Sequence, residues 1–424
     1  MERADAESRQ AEIAAQLEGL VQEYFAIHPG PEDPLACPLS VPLYGAEEVN
    51  DAMTVLLSQR VTMGPRVQRF EEEFARSVGT GHAVMVNSGS SANLLAVSSL
   101  TAQVTPQGLY PGDEVIVPAV TWPTTITPII QNGCVPVFVD IDPATLNMQT
   151  DQLEKAWSPR TRAVFVVHLL GNPVDMEPVM EFARNRDLWV IEDTCESLGT
   201  TIGDEQTGSI GHIGTYSFYF SHHITTIEGG MLVTDDARVA DLARSMRAHG
   251  WTRGLTNRDE LETASPWIDP RFLFVHIGYN LRPMELQAAF GLAQLKRLEE
   301  FNDARRANAM RLLADLSDLS DELSFVTEQP GGRSTWFGFA VITKDAETRK
   351  ALSKHLEAAK IETRPLVAGN LAVQPAFRDS PHRAVGSLHN ASSIGQRTLY
   401  IGNHPDLDDA RLRHIAETFG SFFR

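Results

Sequence analysis

Apolar residues fall at helical spacing over residues 8–26 (RQAEIAAQLEGLVQEYFAI), where Ile13, Leu17, Leu20, Val21 and Phe25 recur on one face. That period predicts an amphipathic helix. The proline-rich stretch HPGPEDPLACPLSVPLYG ends it and leads into the main body. From residue 83 the pattern changes to short β-branched runs: AVMVN (83–87), EVIVP (114–118), VPVFVDI (135–141), RAVFVVH (162–168) and LWVIED (188–193). Helical windows such as SANLLAVSSLTAQ and MEPVMEFARNR lie between them. Continuous apolar strands separated by crossover helices predict a mainly parallel α/β sheet, buried on both faces. TYSFYF (215–220) and GGMLVTDD (229–236) read as two strands closer in sequence, and two long helical patterns run through 283–317. Beyond 318, the strand WFGFAVIT and helices near 345–358 and 407–420 predict a smaller α+β unit. The expected organisation is an N-terminal helix and connector (1–40), a large domain (41–300) and a small C-terminal α+β domain (301–424).

Composition narrows the class of protein. The formal net charge of −19 lacks the basic footprint that nucleic acid requires, but leaves room for a locally positive pocket. No apolar run of about 18 residues predicts a membrane span. The first residues, MERADAESRQAEIAAQLEGL, carry acids and no apolar core, so a secretory leader is not expected. The three cysteines, Cys37, Cys134 and Cys195, are too scattered for a disulfide framework or a metal cluster. No metal site is expected, and the cysteine usage suits a reducing cytoplasm.

In parallel α/β sheets ligands gather at the carboxyl ends of the strands. After AVMVN comes SGSSANLLA, where Gly89, Ser90 and Ser91 open a helix whose N–H groups suit a phosphate; a plain serine cap is the alternative. After EVIVP comes AVTWPTT, where Trp122 offers a flat aromatic face or else core packing. Asp193 closes LWVIED, as a carboxylate for a heterocyclic nitrogen or as a helix cap. SFYFSHHITTIEGG contributes Ser217, Ser221, His222 and His223; no acid or cysteine cluster accompanies the histidine pair, which argues against metal binding.

Taken in order, SGSSANLLA, TWPTT, VIEDTCESLG, SFYFSHHITTIEGG and GYNLRPMELQAA resemble fold-type I pyridoxal 5′-phosphate (PLP) enzymes. The branch they resemble is the DegT-type sugar aminotransferases, over roughly residues 40–420. The resemblance implies a cofactor-binding large domain in which Gly89, Ser90 and Ser217 hold the phosphate and Trp122 stacks on the pyridine ring. It implies that Asp193 pairs with the ring nitrogen and that Glu196 stands near the phenolic oxygen, where many relatives have Gln or His. Asn280 in GYNLRP would reach the phosphate of a neighbouring subunit, which implies a homodimer; a turn residue before a helix is the alternative.

Relatives of this kind carry their cofactor-tethering lysine where this chain has His222. The six lysines, Lys155, Lys296, Lys344, Lys350, Lys354 and Lys360, all fall away from the strand-end loops. The same change, with HIGYNL, WFGF, AGNL and QPAF and an N-terminal helix, is similar to the pyridoxamine 5′-phosphate (PMP)-dependent 3-dehydratases of nucleotide-linked 4-keto-6-deoxyhexoses. That resemblance implies a 3-deoxygenation in which PMP brings its own amine, His222 moves the proton and L-glutamate restores the cofactor. A histidine suits proton transfer because its ordinary pKa lies near 6.5. His223 is assigned to the substrate side of the site or to packing.

One branch of such dehydratases holds a [2Fe–2S] cluster on cysteines in the segment matching 246–276, and this chain has none there. A cluster-free enzyme is therefore expected. Ala372 and Val373 replace a Thr-Arg pair of those relatives, leaving Arg364 as an anion contact for substrate or as a surface ion pair. The insertion WTRGLTNRDELETASPWIDPRF is expected to face substrate. Two other readings stay open: a lysine-free aminotransferase that returns a 4-amino sugar, and a non-catalytic relative that binds cofactor only.

Overall fold

The structure, a computed structural model, describes residues 3–27, 33–101 and 108–424. Residues 28–32 of the proline-rich connector and 102–103 of the SANLLAVSSLTAQ window lie outside the described residues. Seven strands of the large sheet come in chain order as β1 (His82–Val86), β2 (Glu114–Pro118), β3 (Val135–Val139), β4 (Thr161–Val167), β5 (Trp189–Asp193), β6 (Ile213–Ser217) and β7 (Gly230–Thr234). The smaller sheet uses β8 (Leu323–Phe325), β9 (Gly338–Thr343), β10 (Thr363–Pro365) and β12 (Thr398–Gly402), while the two-residue β11 (Arg383–Ala384) returns to the edge of the large one.

The large sheet runs β1-β7-β6-β5-β4-β2-β3-β11. From β6 to β11 every pairing is parallel, and only β7 runs antiparallel to both its neighbours, β1 and β6. The mainly parallel α/β expectation therefore holds. Along the strands the side chains alternate between two separate apolar cores. Val115 and Val117 of β2 join Phe165 of β4 on one face, while Ile116, Val164 and Val166 fill the other. That alternation, with helices over both faces, explains why the strands read as unbroken apolar runs.

The antiparallel small sheet, in the order β8-β9-β12-β10, packs its own core against helices Leu298–Asp315, Ala346–Ala358 and Asp409–Phe423. The N-terminal helix α1 (Arg3–Ala26) buries none of its residues and leaves Leu20 and Tyr24 exposed. Helices α2 (Ala46–Ser58) and α3 (Pro65–Val78) were not legible from the pattern, although α3 buries Val67, Phe70 and Phe74 at helical spacing. The connector is tied to the small sheet. Cys37 N–H donates to Lys360 O at 2.9 Å, and Glu362 N–H donates to Cys37 O at 2.9 Å.

β6 stops at Ser217 rather than running on to Phe220. The chain turns out of the sheet there, with His222 N–H donating to Tyr219 O at 2.9 Å, and Thr226 N–H returning to Phe218 O. This early exit puts residues 219–222 at the strand's carboxyl end.

Candidate active site

A cavity of about 780 Å³ opens at the carboxyl ends of β1, β2, β5 and β6 and is closed by residues of the small sheet and connector. Its size lies within the range of ligand sites. Gly89, Ser90, Trp122, Asp193, Glu196, Ser217, His222 and Arg364 all line it. His223 and Asn280 do not, and among the described residues no lysine does.

Helix α4 (Gly89–Thr101) begins directly beneath the cavity. Ser88 caps it, accepting from Ser91 N–H at 3.1 Å. A Cβ on Gly89 would sit 2.5 Å from Ser217 Cβ, so only glycine lets this turn press against the end of β6. The same packing requires Gly230, whose Cβ would lie 2.4 Å from the Ser88 carbonyl carbon. Ser90 Oγ lies 2.8 Å from Thr124 Oγ1, which joins this turn to helix α5 (Pro123–Gln131). Trp122, immediately before α5, is 58% exposed. An indole left open at the wall of a cavity is free to stack on a flat ligand.

Asp193 is buried at the end of β5. Its Oδ2 accepts from Asn93 Nδ2 at 2.8 Å and from Thr125 Oγ1 at 2.7 Å, and its Oδ1 from Cys195 N–H at 3.2 Å. Thr215 Oγ1 in turn donates to Asn93 Oδ1 at 2.6 Å. These bonds fix the carboxylate's direction before any ligand arrives. Neither Asn93 nor Thr125 was singled out from sequence, although both stand inside the quoted motifs SGSSANLLA and TWPTT. Asn93 lies four residues beyond Gly89, one turn along the same helix, and that spacing is the signal that could have found it.

The cavity also fits the cofactor that the resemblance implies. It combines a glycine turn that a Cβ would fill, an exposed indole and a directed carboxylate. It offers no amine for a covalent tether.

The two histidines part company. His222 lines the cavity with its ring edge-on to Phe337, centroids 5.2 Å apart, and Ser221 Oγ lies 3.4 Å from its Nδ1. Burial, reinforced by the charge of Arg305, pushes its pKa down to about 3, well below the ordinary imidazole value expected from sequence. The imidazole is therefore neutral. His223 is buried, with Nε2 2.9 Å from Thr335 Oγ1. Its assignment to substrate gives way to packing, because that hydrogen bond anchors it behind the cavity wall.

Glu196 accepts from Leu170 N–H at 2.8 Å, an amide aimed by a left-handed Leu170 at φ 51°. Burial, with Asp193 nearby, nonetheless pushes its carboxyl up to about 7. Arg364 lies at the rim, 2.8 Å from Glu362 Oε1, so it is both ion-paired and cavity-facing. Asn280 is exposed, its Oδ1 accepting from Arg282 Nε at 3.0 Å, and it does not line its own chain's cavity. No residue of the 251–272 insertion lines that cavity either. Sequence reasoning also missed Leu39, Ser40, Phe337 and Tyr400, which reach the site only through the docking of connector and small sheet.

Residues 42–420 match the DegT/DnrJ/EryC1/StrS aminotransferase family model. A dTDP-4-dehydro-2,6-dideoxy-D-glucose 3-dehydratase of Saccharopolyspora spinosa is 41% identical over 86% of this chain and 82% of its own length. A structure of the Escherichia coli GDP-4-keto-6-deoxy-D-mannose 3-dehydratase with bound hydrated PLP aligns at TM-score 0.85 and 37% identity, covering 91% of this chain and 99% of that one. A structure of a GDP-4-keto-6-deoxymannose 3-dehydratase with a trapped PLP–glutamate geminal diamine aligns at TM-score 0.84 and 37% identity, covering 90% and 99%.

Proposed function

Since the chain belongs to the DegT/DnrJ/EryC1/StrS aminotransferase family, we propose that it is a PMP-dependent 3-dehydratase of a nucleotide-linked 4-keto-6-deoxyhexose, with L-glutamate restoring the amine. The observation that carries this reading is His222 in a cavity without a lysine, beside a directed carboxylate and a glycine turn. When bound, PMP would supply the amine for the sugar's 4-keto group and the π-system that relays the electron pair left by the abstracted proton toward C3, where the hydroxyl is expelled. Gly89, Ser90 and Ser217 hold the phosphate, Trp122 covers the ring and Asp193 keeps the ring nitrogen protonated. His222, neutral at the cavity wall, accepts the proton and returns it toward the departing hydroxyl. The relatives span GDP and dTDP sugars at similar identity, so either nucleotide fits.

Glu196, with its carboxyl protonated up to about pH 7, can donate a hydrogen bond to the phenolic oxygen as glutamine does in related enzymes. Glu196→Gln is expected to keep most activity while removing a fall in kcat/KM above pH 7 that the wild type shows. A pH–rate series on both proteins checks this, and an unchanged alkaline limb contradicts it. The linkage has a definite sign. The folded protein retains a proton that the unfolded chain has released between pH 4.5 and 7, so the Glu196 contribution to stability falls across that window.

Gly89→Ala forces the turn away from Ser217, a packing cost of about 1–3 kcal/mol. The expected result is weaker cofactor binding with a modest loss of melting temperature, read by absorbance titration and thermal unfolding. Binding at wild-type strength would remove Gly89 from the phosphate site.

The partnership is a homodimer in which Asn280 reaches the neighbouring cavity. Ile277, 93% exposed, and Met284, 45% exposed, flank it and suit burial against a second copy. Sedimentation of the full chain is expected to give a dimer, and Asn280→Ala to weaken cofactor binding without unfolding; a monomer that binds cofactor normally contradicts this. Among the described residues no helix is long and apolar enough to cross a membrane. A nucleotide-linked substrate suits a cytoplasmic setting.

A further inference from the structure

Arg305, on helix Leu298–Asp315, is only 3% exposed. Its guanidinium NH1 donates to Asn403 O at 2.6 Å and to Phe337 O at 3.2 Å, and its carbon lies 5.9 Å from the Phe337 ring centroid. Its Nε has no hydrogen-bond partner. Among the described residues no carboxylate pairs with it, and burial alone lowers its pKa to about 10. A buried cation without a counter-ion is costly, and two backbone carbonyls are weak compensation. The residue it touches, Phe337, is the one whose ring packs on His222 at 5.2 Å and on His223 at 5.5 Å.

We propose that Arg305 is a positioning residue for the 3-dehydration, acting on His222 from behind Phe337 by anchoring that ring against the imidazole and placing an unpaired cation beneath it. This role extends the reading of His222 as the proton carrier and rests on it. Arg305 depresses the proton affinity of three histidines, His222, His223 and His404, in each case after burial. His404, like His222, has a value moved far down, to about 4.

The other groups around His222 pull elsewhere. Asp193, Glu196, Glu228 and Glu362 line the same cavity and, where ionised, would favour a protonated imidazole. Arg364, at the rim, is already paired with Glu362. Burial pushes the Tyr400 phenol on β12 further up, so it adds no charge. His223, the adjacent residue, is itself held unprotonated. Arg305 is thus the charge that, added to burial, keeps His222 unprotonated inside an acidic cavity.

The test is a histidine-labelled NMR titration of the ligand-free full chain, with the His222 resonance identified by its loss in His222→Asn. Wild-type His222 is expected to remain unprotonated well below pH 6. In Arg305→Met its midpoint should rise on the order of one pH unit or more, as removal of a nearby buried charge does. Arg305→Lys, which keeps the charge, should stay closer to wild type. Arg305→Gln retains a donor for the two carbonyls and should reproduce the Met shift if Arg305→Met does not fold. With bound PMP, the acid limb of kcat/KM should move in the same direction in the uncharged variants and not in Arg305→Lys, which separates loss of the charge from mere loosening of the fold. A wild-type midpoint near 6.5, or folded uncharged variants with an unmoved midpoint, would overturn the role of Arg305. Because the titration needs no turnover, it stands apart from the dehydratase reading, which would fail separately if no sugar lost its C3 hydroxyl.

Discussion

His222→Asn is expected to bind PMP and lower 3-dehydration by about 10²–10⁴-fold, the usual size of a lost general acid–base group. Asparagine keeps a polar side chain at the Phe337 wall but cannot cycle a proton. The geometry offers no substitute among the described residues: His223 is locked to Thr335, and no lysine lines the cavity. His222→Lys is the sharper variant. An amine at this position would capture the aldehyde form of the cofactor covalently, so borohydride reduction should add the cofactor's mass to the protein while dehydration is lost. If either variant turned over at the wild-type rate, His222 would be a wall residue only. The low proton affinity of His222 has a consequence for stability as well. The unfolded chain takes up a proton from about pH 6.5 downward that the folded site refuses to about pH 3, so acid destabilises the fold across that window.

Asp193→Asn is the second large effect, expected to cost about 10²–10³-fold in turnover, as when one preorganised charge-stabilising group is removed. The carboxylate accepts from Asn93, Thr125 and the Cys195 amide. An asparagine can present only one acceptor oxygen to these donors, and its amide then faces another donor. One buried donor is left unmatched, at about 1–3 kcal/mol. The ring nitrogen of the cofactor also loses its partner. A drop in kcat together with a changed absorbance spectrum of the bound cofactor would be the expected signature; a loss confined to KM for the sugar would place Asp193 outside the cofactor site.

The sheet was legible because its central strands are buried on both faces. EVIVP and LWVIED have no polar face to confuse their period, and the structure gives β2 and β5 within a residue of the reading. The site was legible where one strand-end loop carried it, as with Gly89, Trp122, Asp193 and His222. It was not legible where function depends on docking between distant segments. Phe337 and Tyr400 come from the small sheet, and Leu39 from a connector tied to residues 360–362. No local pattern announces such contacts. Arg305 is a sharper case. Within RRANAMRL on a charged helix it reads as a solvated arginine, and only its burial between Phe337 and Asn403 reveals otherwise. The depressed proton affinity of His222 was equally hidden, since it is a property of that buried neighbourhood and not of the residue.

The most direct test of the central claim is product analysis by mass spectrometry. The enzyme with PMP and glutamate is incubated with a panel of GDP-, CDP- and dTDP-linked 4-keto-6-deoxyhexoses. The account predicts that one of them yields a 4-keto product with one oxygen fewer than the substrate. One 2-oxoglutarate and one ammonia should form for each sugar, which balances the oxygen lost from C3. A 4-amino sugar that keeps its C3 oxygen, with no ammonia released, would contradict it and make the chain an aminotransferase without its lysine.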